Sequence, residues 1–217
     1  MDGRKDPVLI LNSLRSLYGR GVYPGRADNM GAPLWEDDPF HVLITTVLSQ
    51  RTRDENTRVS AESLFGAYAD PASIAAAPLD EIERLIRKAG FPHQKAMAIK
   101  EISRIIAEKG KVPADIDFLL SLPMVGRKTA NCVLAYAFGL PAICVDTHVH
   151  RIANLLGLVD TSRPEDTEEA LKKIVPPELW RDINSLFVRH GQVICLPRNP
   201  RCGQCPIREQ CDYGQSR

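Results

Sequence analysis

Four cysteines near the C-terminus form the most concentrated group of reactive side chains in the sequence. They follow the pattern C-x6-C-x2-C-x5-C and are Cys195, Cys202, Cys205 and Cys211. Thiolates at this spacing can face one point, and they are the usual ligands of soft metals and iron–sulfur clusters. The N-terminal residues have no apolar signal core, so we interpret the protein as cytosolic, a compartment in which disulfides are rare. The run therefore predicts a metal or cluster site, either as a structural staple or as part of a working site.

A lysine in the middle of the chain has an environment suited to a nucleophilic amine. Lys128 is expected in the first turn of a helix that begins near Arg127. The positive end of the helix dipole disfavours an ammonium group there by roughly 0.3–1 kcal/mol, and a neighbouring cation acts in the same direction. Both effects favour the neutral amine, the form that attacks carbon. A solvated surface lysine or a phosphate contact is the alternative interpretation.

A carboxylate can reach the same amine. Asp146 has the residue type and position of a helix N-cap, and capping alone would account for it. The helix after Lys128 carries the chain about 15 Å to Phe138, and the segment from Phe138 to Asp146 can span up to roughly 26 Å. The chain can therefore return and place the carboxylate beside the amine. A lysine and a carboxylate next to a phosphate site would indicate chemistry on a nucleotide.

A phosphate-binding turn is predicted directly before this lysine. The segment from Asp115 to about Ser121 is expected to be a short helix, followed by a tight turn at 123–126 and a second helix. Gly126 lets the backbone approach a ligand closely. The first amides of the second helix are unpaired and lie at the positive end of its dipole, so they can hold a phosphate without reading base sequence. An ordinary turn between two core helices is the alternative.

The elements that must position these residues are almost all helical. Apolar residues recur with helical spacing in eight segments, separated by Pro- and Gly-containing turns such as Asp70-Pro71. The segments are 40–50, 55–68, 79–88, 94–108, 127–138, 147–156, 165–174 and 178–190.

No apolar run reaches membrane-spanning length, and the net charge of +1 does not by itself predict a nucleic-acid binder. Cys132 and Cys144 lie among apolar residues and are predicted to be buried, unreactive thiols.

Three motifs in this order and spacing resemble the endonuclease III family of helix-hairpin-helix DNA glycosylases. They are LPMVGRKTAN at 122–131, VDTH at 145–148 and the four-cysteine run, and the resemblance covers about 40–213. It implies an all-α, two-lobed helix-hairpin-helix DNA glycosylase fold with a six-helix barrel lobe and an iron–sulfur cluster lobe.

The resemblance also implies domain limits. The six-helix barrel domain is expected at 32–140, with the helix-hairpin-helix at about 115–139. The iron–sulfur cluster domain is expected to be discontinuous, at 1–31 and 141–217.

By the same resemblance, Lys128 corresponds to the Schiff-base lysine and Asp146 to the catalytic aspartate of the family. The four cysteines of the run correspond to the ligands of a [4Fe–4S] cluster. The predicted DNA contacts are Gln50, Arg51, Thr52, Leu122, Met124, Val125, Gly126, Arg127, His148, Arg151, Arg198 and Arg201.

The sequence departs from the family pattern at two of these contacts. Met124 replaces the first glycine of the hairpin, and we expect the turn to tolerate a side chain there that faces DNA or packs locally. A positive φ at Met124 would cost on the order of 1–3 kcal/mol. Ungapped alignment puts Arg51 where the family has the glutamine that fills the gap left by a flipped base, with Gln50 one place before it. Either side chain could fill that gap.

The loop between the first two cysteines of the run carries Arg198 and Arg201. Ligation at both ends would hold this loop rigid and present the two arginines to DNA phosphates. A solvated loop is the alternative.

The predicted function is a bifunctional base-excision repair enzyme that acts on double-stranded DNA with damaged bases or abasic sites. It removes oxidised or ring-saturated pyrimidines and cleaves abasic sites by β-elimination through a lysine Schiff base. We expect a monomer without membrane association, cytoplasmic, and nucleoid-associated if the source is prokaryotic. The alternatives are an adenine or mismatch-specific glycosylase of the same fold, a non-catalytic DNA-binding module whose four cysteines bind zinc, and an electron-transfer iron–sulfur protein.

Overall fold

The computed structural model describes residues 5–19 and 38–217, and every regular element in these residues is helical. The all-α prediction is confirmed. The helices are α1 Pro7–Tyr18, α2 Pro39–Ser49, α3 Asp54–Ala67, α4 Pro71–Ala76, α5 Leu79–Leu85, α6 Pro92–Lys109, α7 Ile116–Ser121, α8 Arg127–Ala137, α9 Thr147–Leu156, α10 Pro164–Ile174, α11 Trp180–Val193 and α12 Asp212–Gln215.

Each of the eight segments with helical spacing contains a helix, and α7 follows Asp115 as expected. The spacing alone predicts neither α1 nor α4. The sequence Asp70-Pro71 is interpreted above as a turn, but Asp70 is the N-cap of α4 and accepts a hydrogen bond from the Ser73 amide at 3.0 Å. Pro71 occupies the first helical position, where no amide donor is needed. Asp70 and Pro71 therefore mark the start of an additional short helix, where the sequence predicted only a turn.

The described residues divide into two compact units. We call residues 38–140 the middle unit, and residues 5–19 with 141–217 the terminal unit. The domain boundary predicted between residues 31 and 32 lies outside the described residues.

The middle unit is built around α2 and α6. α2 packs against α3, α6 and α8, while α4 and α5 pack against α6. Its core includes Leu43, Ile99 and Val133, all fully buried. This packing brings the N-terminus of α8, which carries Lys128, next to the C-terminus of α2.

The terminal unit is built around α9 and α11. α11 packs against α1 and α9, and α9 also contacts α10 and α12. Three cysteines of the C-terminal run lie against this core. Cys132 in the middle unit and Cys144 in the terminal unit are 2% and 1% exposed, so their predicted burial is confirmed.

Candidate functional site

The predicted hairpin is present, and its turn contains a strained residue. α7 ends at Ser121, the Val125 amide donates to the Leu122 carbonyl at 3.2 Å, and α8 begins at Arg127. Met124 has a φ of 59°, in the left-handed region that glycine adopts without penalty. The expectation that this position suits an ordinary side chain is thus met only at the cost of backbone strain. The Met124 side chain is 38% exposed.

The N-terminus of α8 has the features of a phosphate site. Gly126 is its exposed N-cap residue and provides no side chain to satisfy the first amides. A Cβ atom built on Gly126 would meet no atom within 4 Å, so the backbone is accessible. Lys128 lies in the first turn, as predicted, and is half-buried. The side chains of Leu122 and Val125 are buried, so DNA contacts from these two residues would have to use the main chain.

The turn after α2 contacts this hairpin through Gln50. The Gln50 side-chain amide donates to the Met124 carbonyl at 2.8 Å and to the Thr129 hydroxyl at 3.2 Å. Arg51 is exposed instead, has a φ of 50°, and places its guanidinium 4.9 Å from the centre of the Phe91 ring. The two neighbouring side chains are therefore directed differently, Gln50 to the hairpin and Arg51 to the exposed ring of Phe91.

A buried lysine that sequence reasoning missed lies beneath this turn. Lys95 is 1% exposed, and its ammonium group contacts the Leu48 carbonyl at 2.7 Å, the Gln50 carbonyl at 2.6 Å and the Thr52 hydroxyl at 2.8 Å. Burial lowers the pKa of Lys95 to about 8. A sequence signal was available: Lys95 shares the apolar stripe of α6 with Ile99 and Ile102, at spacings that place all three on one helix face.

Asp146 belongs to the terminal unit, whereas Lys128 belongs to the middle unit. Asp146 is half-buried and is the N-cap of α9, as predicted. Its Oδ1 accepts a hydrogen bond from the Val149 amide at 2.8 Å. The backbone thus fixes the position of the carboxylate at the positive end of the helix.

Two predicted DNA contacts in the terminal unit are linked to the cysteine loop. The Arg151 guanidinium donates to the Cys195 carbonyl at 2.7 Å and lies 3.4 Å from His148 Nδ1. Arg198 and Arg201 are exposed on the loop between the first two cysteines of the run. The Arg201 amide closes the loop by donating to the Ile194 carbonyl at 2.9 Å. Direct DNA contacts from these residues stay predictions.

The four cysteines of the run line one cavity together with apolar residues of α9 and with His190 of α11. Burial raises the pKa of Cys205 to about 11, and it also raises the pKa values of Cys195 and Cys211. Such an apolar pocket disfavours free thiolates, so bound metal must provide the compensating positive charge.

Within the described residues, no three His, Cys, Asp or Glu side chains converge closely enough to hold a single metal ion. One zinc ion would require four sulfur atoms at about 2.3 Å from a common centre. The cysteine side chains of the described residues do not have this arrangement.

His190 of α11 also lines the cysteine cavity, and it links the cavity to Tyr18 of α1. His190 is 1% exposed, and its Nε2 lies 3.6 Å from Cys205 Sγ. The other ring nitrogen of His190 is 3.0 Å from the Tyr18 hydroxyl. Cys205 is thus held within a hydrogen-bonded chain that reaches α1.

Known proteins share these features. A family model described as HhH-GPD superfamily base excision DNA repair protein matches residues 44–177. The iron–sulfur binding domain of endonuclease III matches residues 195–211. Endonuclease III from Thermotoga maritima is 52% identical over 184 residues, which cover 84% of this chain and 86% of the relative. This chain belongs to the endonuclease III family.

Other members and solved structures agree. Endonuclease III from Escherichia coli strain K12 is 37% identical over 177 residues, covering 81% of this chain and 84% of the relative. A non-covalent endonuclease III–DNA complex matches with a TM-score of 0.87 and 32% identity, covering 100% of this chain and 98% of that one. A trapped endonuclease III–DNA covalent intermediate, an estranged-adenine complex, has the same TM-score and identity, with 100% and 99% covered.

Membership of the endonuclease III family establishes the class of enzyme. The protein is a DNA-binding, bifunctional base-excision glycosylase and lyase with the helix-hairpin-helix fold and a [4Fe–4S] cofactor. The predictions of fold class, enzyme class and cofactor are confirmed. In the described ranges, 5–19 and 38–217, no helix has both the length and the apolar character needed to span a bilayer.

Proposed function

We propose that this protein removes oxidised or ring-saturated pyrimidines from duplex DNA and cuts the resulting abasic sites through a Schiff base on Lys128. The observation that carries the proposal is the position of Lys128 in the first turn of α8, directly after the exposed, side-chain-free N-cap Gly126. A phosphate at the α8 amides would bring the sugar of the same nucleotide within reach of this amine.

The reaction proceeds in two stages. Lys128 Nζ attacks the sugar C1′ atom, the bond from C1′ to the base breaks, and the base leaves with the bonding electrons and takes up a proton. The amine loses one proton, the bond from C1′ to the ring oxygen O4′ breaks as O4′ takes up a proton, and the nitrogen becomes the protonated imine of the opened sugar. Removal of a proton from C2′ then expels the 3′ phosphate, which cuts the strand.

Asp146 acts on the same nucleotide as a carboxylate. It stabilises the positive charge that develops on the sugar as the base leaves, and it assists the proton transfers of imine formation. Its capping hydrogen bond to the Val149 amide at 2.8 Å holds the side chain in one orientation before the substrate binds. Lys128 is therefore the nucleophile, and Asp146 stabilises the charge that develops on the sugar.

The target base must leave the helix stack to be reached, and damage that weakens stacking lowers the cost of flipping it. We propose that Arg51 enters the vacated gap, because it is exposed and because the Gln50 side chain already contacts the hairpin. Gly126, Arg127 and the exposed loop arginines Arg198 and Arg201 contact phosphates of the bound duplex.

We assign the four cysteines of the run as the ligands of the [4Fe–4S] cluster. When bound, the cluster supplies four iron–thiolate links that hold the C-terminal loop; base release and strand cleavage use Lys128 and Asp146. Cys205→Ser should lower iron and acid-labile sulfide in the purified protein, with Cys132→Ser as the matched control from outside the run. Full iron content in Cys205→Ser would remove that ligand from the set.

The units correspond to proposed domains. We assign the terminal unit to an iron–sulfur cluster domain at 1–31 and 141–217, and the middle unit to a barrel domain at 32–140. The protein acts as a monomer in the cytoplasm, associated with the nucleoid if the source is prokaryotic, a proposal that rests on the family and its DNA substrate. Sedimentation at working concentrations tests the monomer, and a stable dimer would contradict it.

Borohydride trapping tests the lysine assignment. The reagent reduces the imine to a stable amine, so wild type incubated with an abasic duplex should give a covalent adduct and Lys128→Gln should give none. Lys111→Gln, an exposed lysine change in the same unit, should give the wild-type yield. An adduct in Lys128→Gln, or none in wild type, would overturn the assignment.

A panel of duplexes, each with a single lesion, tests the substrate class. Ring-saturated and oxidised pyrimidines should be released much faster than adenine opposite oxidised guanine or thymine opposite guanine. A preference for either of the last two would assign the protein to the adenine or mismatch-specific branch of the fold.

A further inference from the structure

The Lys95 side chain is a buried cation whose contacts all lie in one turn. Lys95 is 1% exposed, so it cannot touch DNA from this position. An ammonium group has three donors, and three oxygen atoms of the segment 48–52 lie 2.6 to 2.8 Å from the nitrogen. Burial of a charged amine is unfavourable unless such hydrogen bonds satisfy it. The full donor capacity of this group is therefore directed at one short segment of chain.

The turn that Lys95 holds is not in a relaxed conformation. Arg51 has a φ of 50°, which a non-glycine residue adopts at a cost. The Gln50 carbonyl points inward to the ammonium at 2.6 Å, and the Thr52 hydroxyl contacts it at 2.8 Å. The contacts on either side of Arg51 thus counterbalance its strain, since both would be lost if the turn relaxed.

A close backbone contact supports the same turn from the other side. A Cβ atom built on Gly90 would lie 2.5 Å from the Arg51 carbonyl oxygen, so only glycine fits there. The Gly90 amide also donates to the Thr52 hydroxyl at 3.0 Å. Contacts with Lys95 on one side and Gly90 on the other therefore fix the backbone of the turn in place.

The same turn carries Arg51, which is proposed above to enter the gap left by the flipped base, and Gln50, which contacts the hairpin. Gln50 reaches the Met124 carbonyl of the hairpin at 2.8 Å. Arg51 lies over the exposed Phe91 ring, at 4.9 Å from its centre. Any shift of the turn would move both side chains relative to the hairpin.

We propose that Lys95 is a positioning residue for damage recognition: through the turn at 50–52 it sets where Gln50 and Arg51 meet DNA. The inference rests on the proposed function, because it needs the turn to contact the lesion site. Lys95 governs how tightly the enzyme holds a site that lacks a base, while the imine chemistry of Lys128 proceeds independently of it.

The test compares two lysines of the same helix. Lys95→Met removes the three donors and keeps the chain length. Lys100→Met is the matched control, because Lys100 also donates to a main-chain carbonyl, that of Ala77 at the end of α4. Each protein is measured for its Kd toward a duplex with a tetrahydrofuran abasic analogue opposite 2-aminopurine, for the fluorescence of that base, and for single-turnover cleavage of a natural abasic duplex at saturating enzyme.

Lys95→Met should raise Kd about tenfold, the effect expected for lost hydrogen bonds to a charged group. It should also reduce the fluorescence change, since the turn no longer occupies the gap. Its single-turnover rate should stay within about twofold of wild type, and Lys100→Met should match wild type in all three measurements. An unchanged Kd in folded Lys95→Met would overturn the inference, and so would an equal loss in the single-turnover rate.

Gly90→Ala provides an independent variant in case Lys95→Met fails to fold. It displaces the turn through the Arg51 carbonyl and leaves Lys95 in place. Its Kd should also rise, while its single-turnover rate stays close to that of wild type. Gly66→Ala, where an added Cβ meets nothing within 4 Å, is its control. An unchanged Kd in Gly90→Ala would overturn the inference by itself. Failure of the proposed function is distinguished by the absence of a borohydride adduct in wild type.

Discussion

The Gln50 side-chain amide donates a hydrogen bond to the main-chain oxygen of Met124 at 2.8 Å, across 74 positions of sequence. This contact joins the turn after α2 to the hairpin before α8. It uses the most strained residue of the hairpin as the acceptor, since Met124 has a φ of 59°. Two predicted DNA-contacting segments are therefore one connected structure, and Gln50 is engaged within it while Arg51 is exposed.

Arg51→Ala should weaken recognition of the damaged base more than the replacement of a neighbouring arginine does. Loss of a stacking side chain from the gap should lower kcat/KM on a ring-saturated pyrimidine duplex by about tenfold, because stacking on a base is worth roughly 1–3 kcal/mol. Arg53→Ala, also exposed and without a capping hydrogen bond, is the control and should stay near wild type. Equal effects of the two changes would mean that only positive charge matters at this turn.

Met124→Gly should relieve strain in the hairpin. The left-handed conformation costs a side-chain-bearing residue roughly 1–2 kcal/mol, and the greater freedom of glycine in the unfolded chain offsets about 0.5–1 kcal/mol of the gain. We expect the free energy of unfolding to be unchanged or higher by up to about 1 kcal/mol, as measured by urea denaturation. Met124→Val should be destabilising, because branching at Cβ crowds this conformation. A large loss of stability in Met124→Gly would show that Met124 packing outweighs its strain.

Asp146→Asn should separate capping from catalysis. Asparagine caps a helix about as well as aspartate, so thermal stability should be retained while base release falls by about 100-fold or more through loss of the charge. Asp146→Ala should lose both functions, with about 1 kcal/mol of stability. Base release is followed under single-turnover conditions, and near-normal release by Asp146→Asn would remove the carboxylate from the mechanism.

Arg198 and Arg201 should account for part of the salt dependence of DNA binding. Replacing both Arg198 and Arg201 with Ala should reduce the slope of log Kd against log salt by about two, since each phosphate contact contributes about 0.9. Arg163→Ala is a suitable control because that exposed residue already pairs with Asp166 at 2.8 Å. A slope identical to wild type in the double variant would leave the cysteine loop with a structural role alone.

The buried Lys95 should make stability depend on pH. Burial lowers the pKa of Lys95 from 10.5 to about 8 in the folded protein. Between these two values the unfolded chain binds more protons than the folded one, so the contribution of this residue to stability rises with pH. The difference in unfolding free energy between wild type and Lys95→Met should increase by up to about 3 kcal/mol from pH 7 to pH 10. Urea titrations across this range test it, and a constant difference would contradict the shift.

The sequence alone was sufficient to predict those features of the structure that depend on interactions between residues close together in the chain. Asp146 caps α9 through an amide three residues away, and Lys128 lies in the first turn of α8 because Gly126 and its neighbours set the helix start. The spacing of the four cysteines is likewise a local property, and it predicted a metal or cluster site; the family resemblance specified the [4Fe–4S] cluster. Eight helices followed from apolar periodicity, whereas α1 and α4 did not; α4 starts at Asp70 and Pro71, residue types that also form turns.

Tertiary structure decided what depends on contacts between distant segments. Lys95 meets the Gln50 carbonyl across 45 positions, and no local pattern tells a buried lysine which oxygen atoms it will find. The positive φ of Met124 and the different directions of Gln50 and Arg51 likewise arise only when α2, α6 and α8 pack together. Burial and long-range hydrogen bonds then offset the strain that each segment would avoid alone.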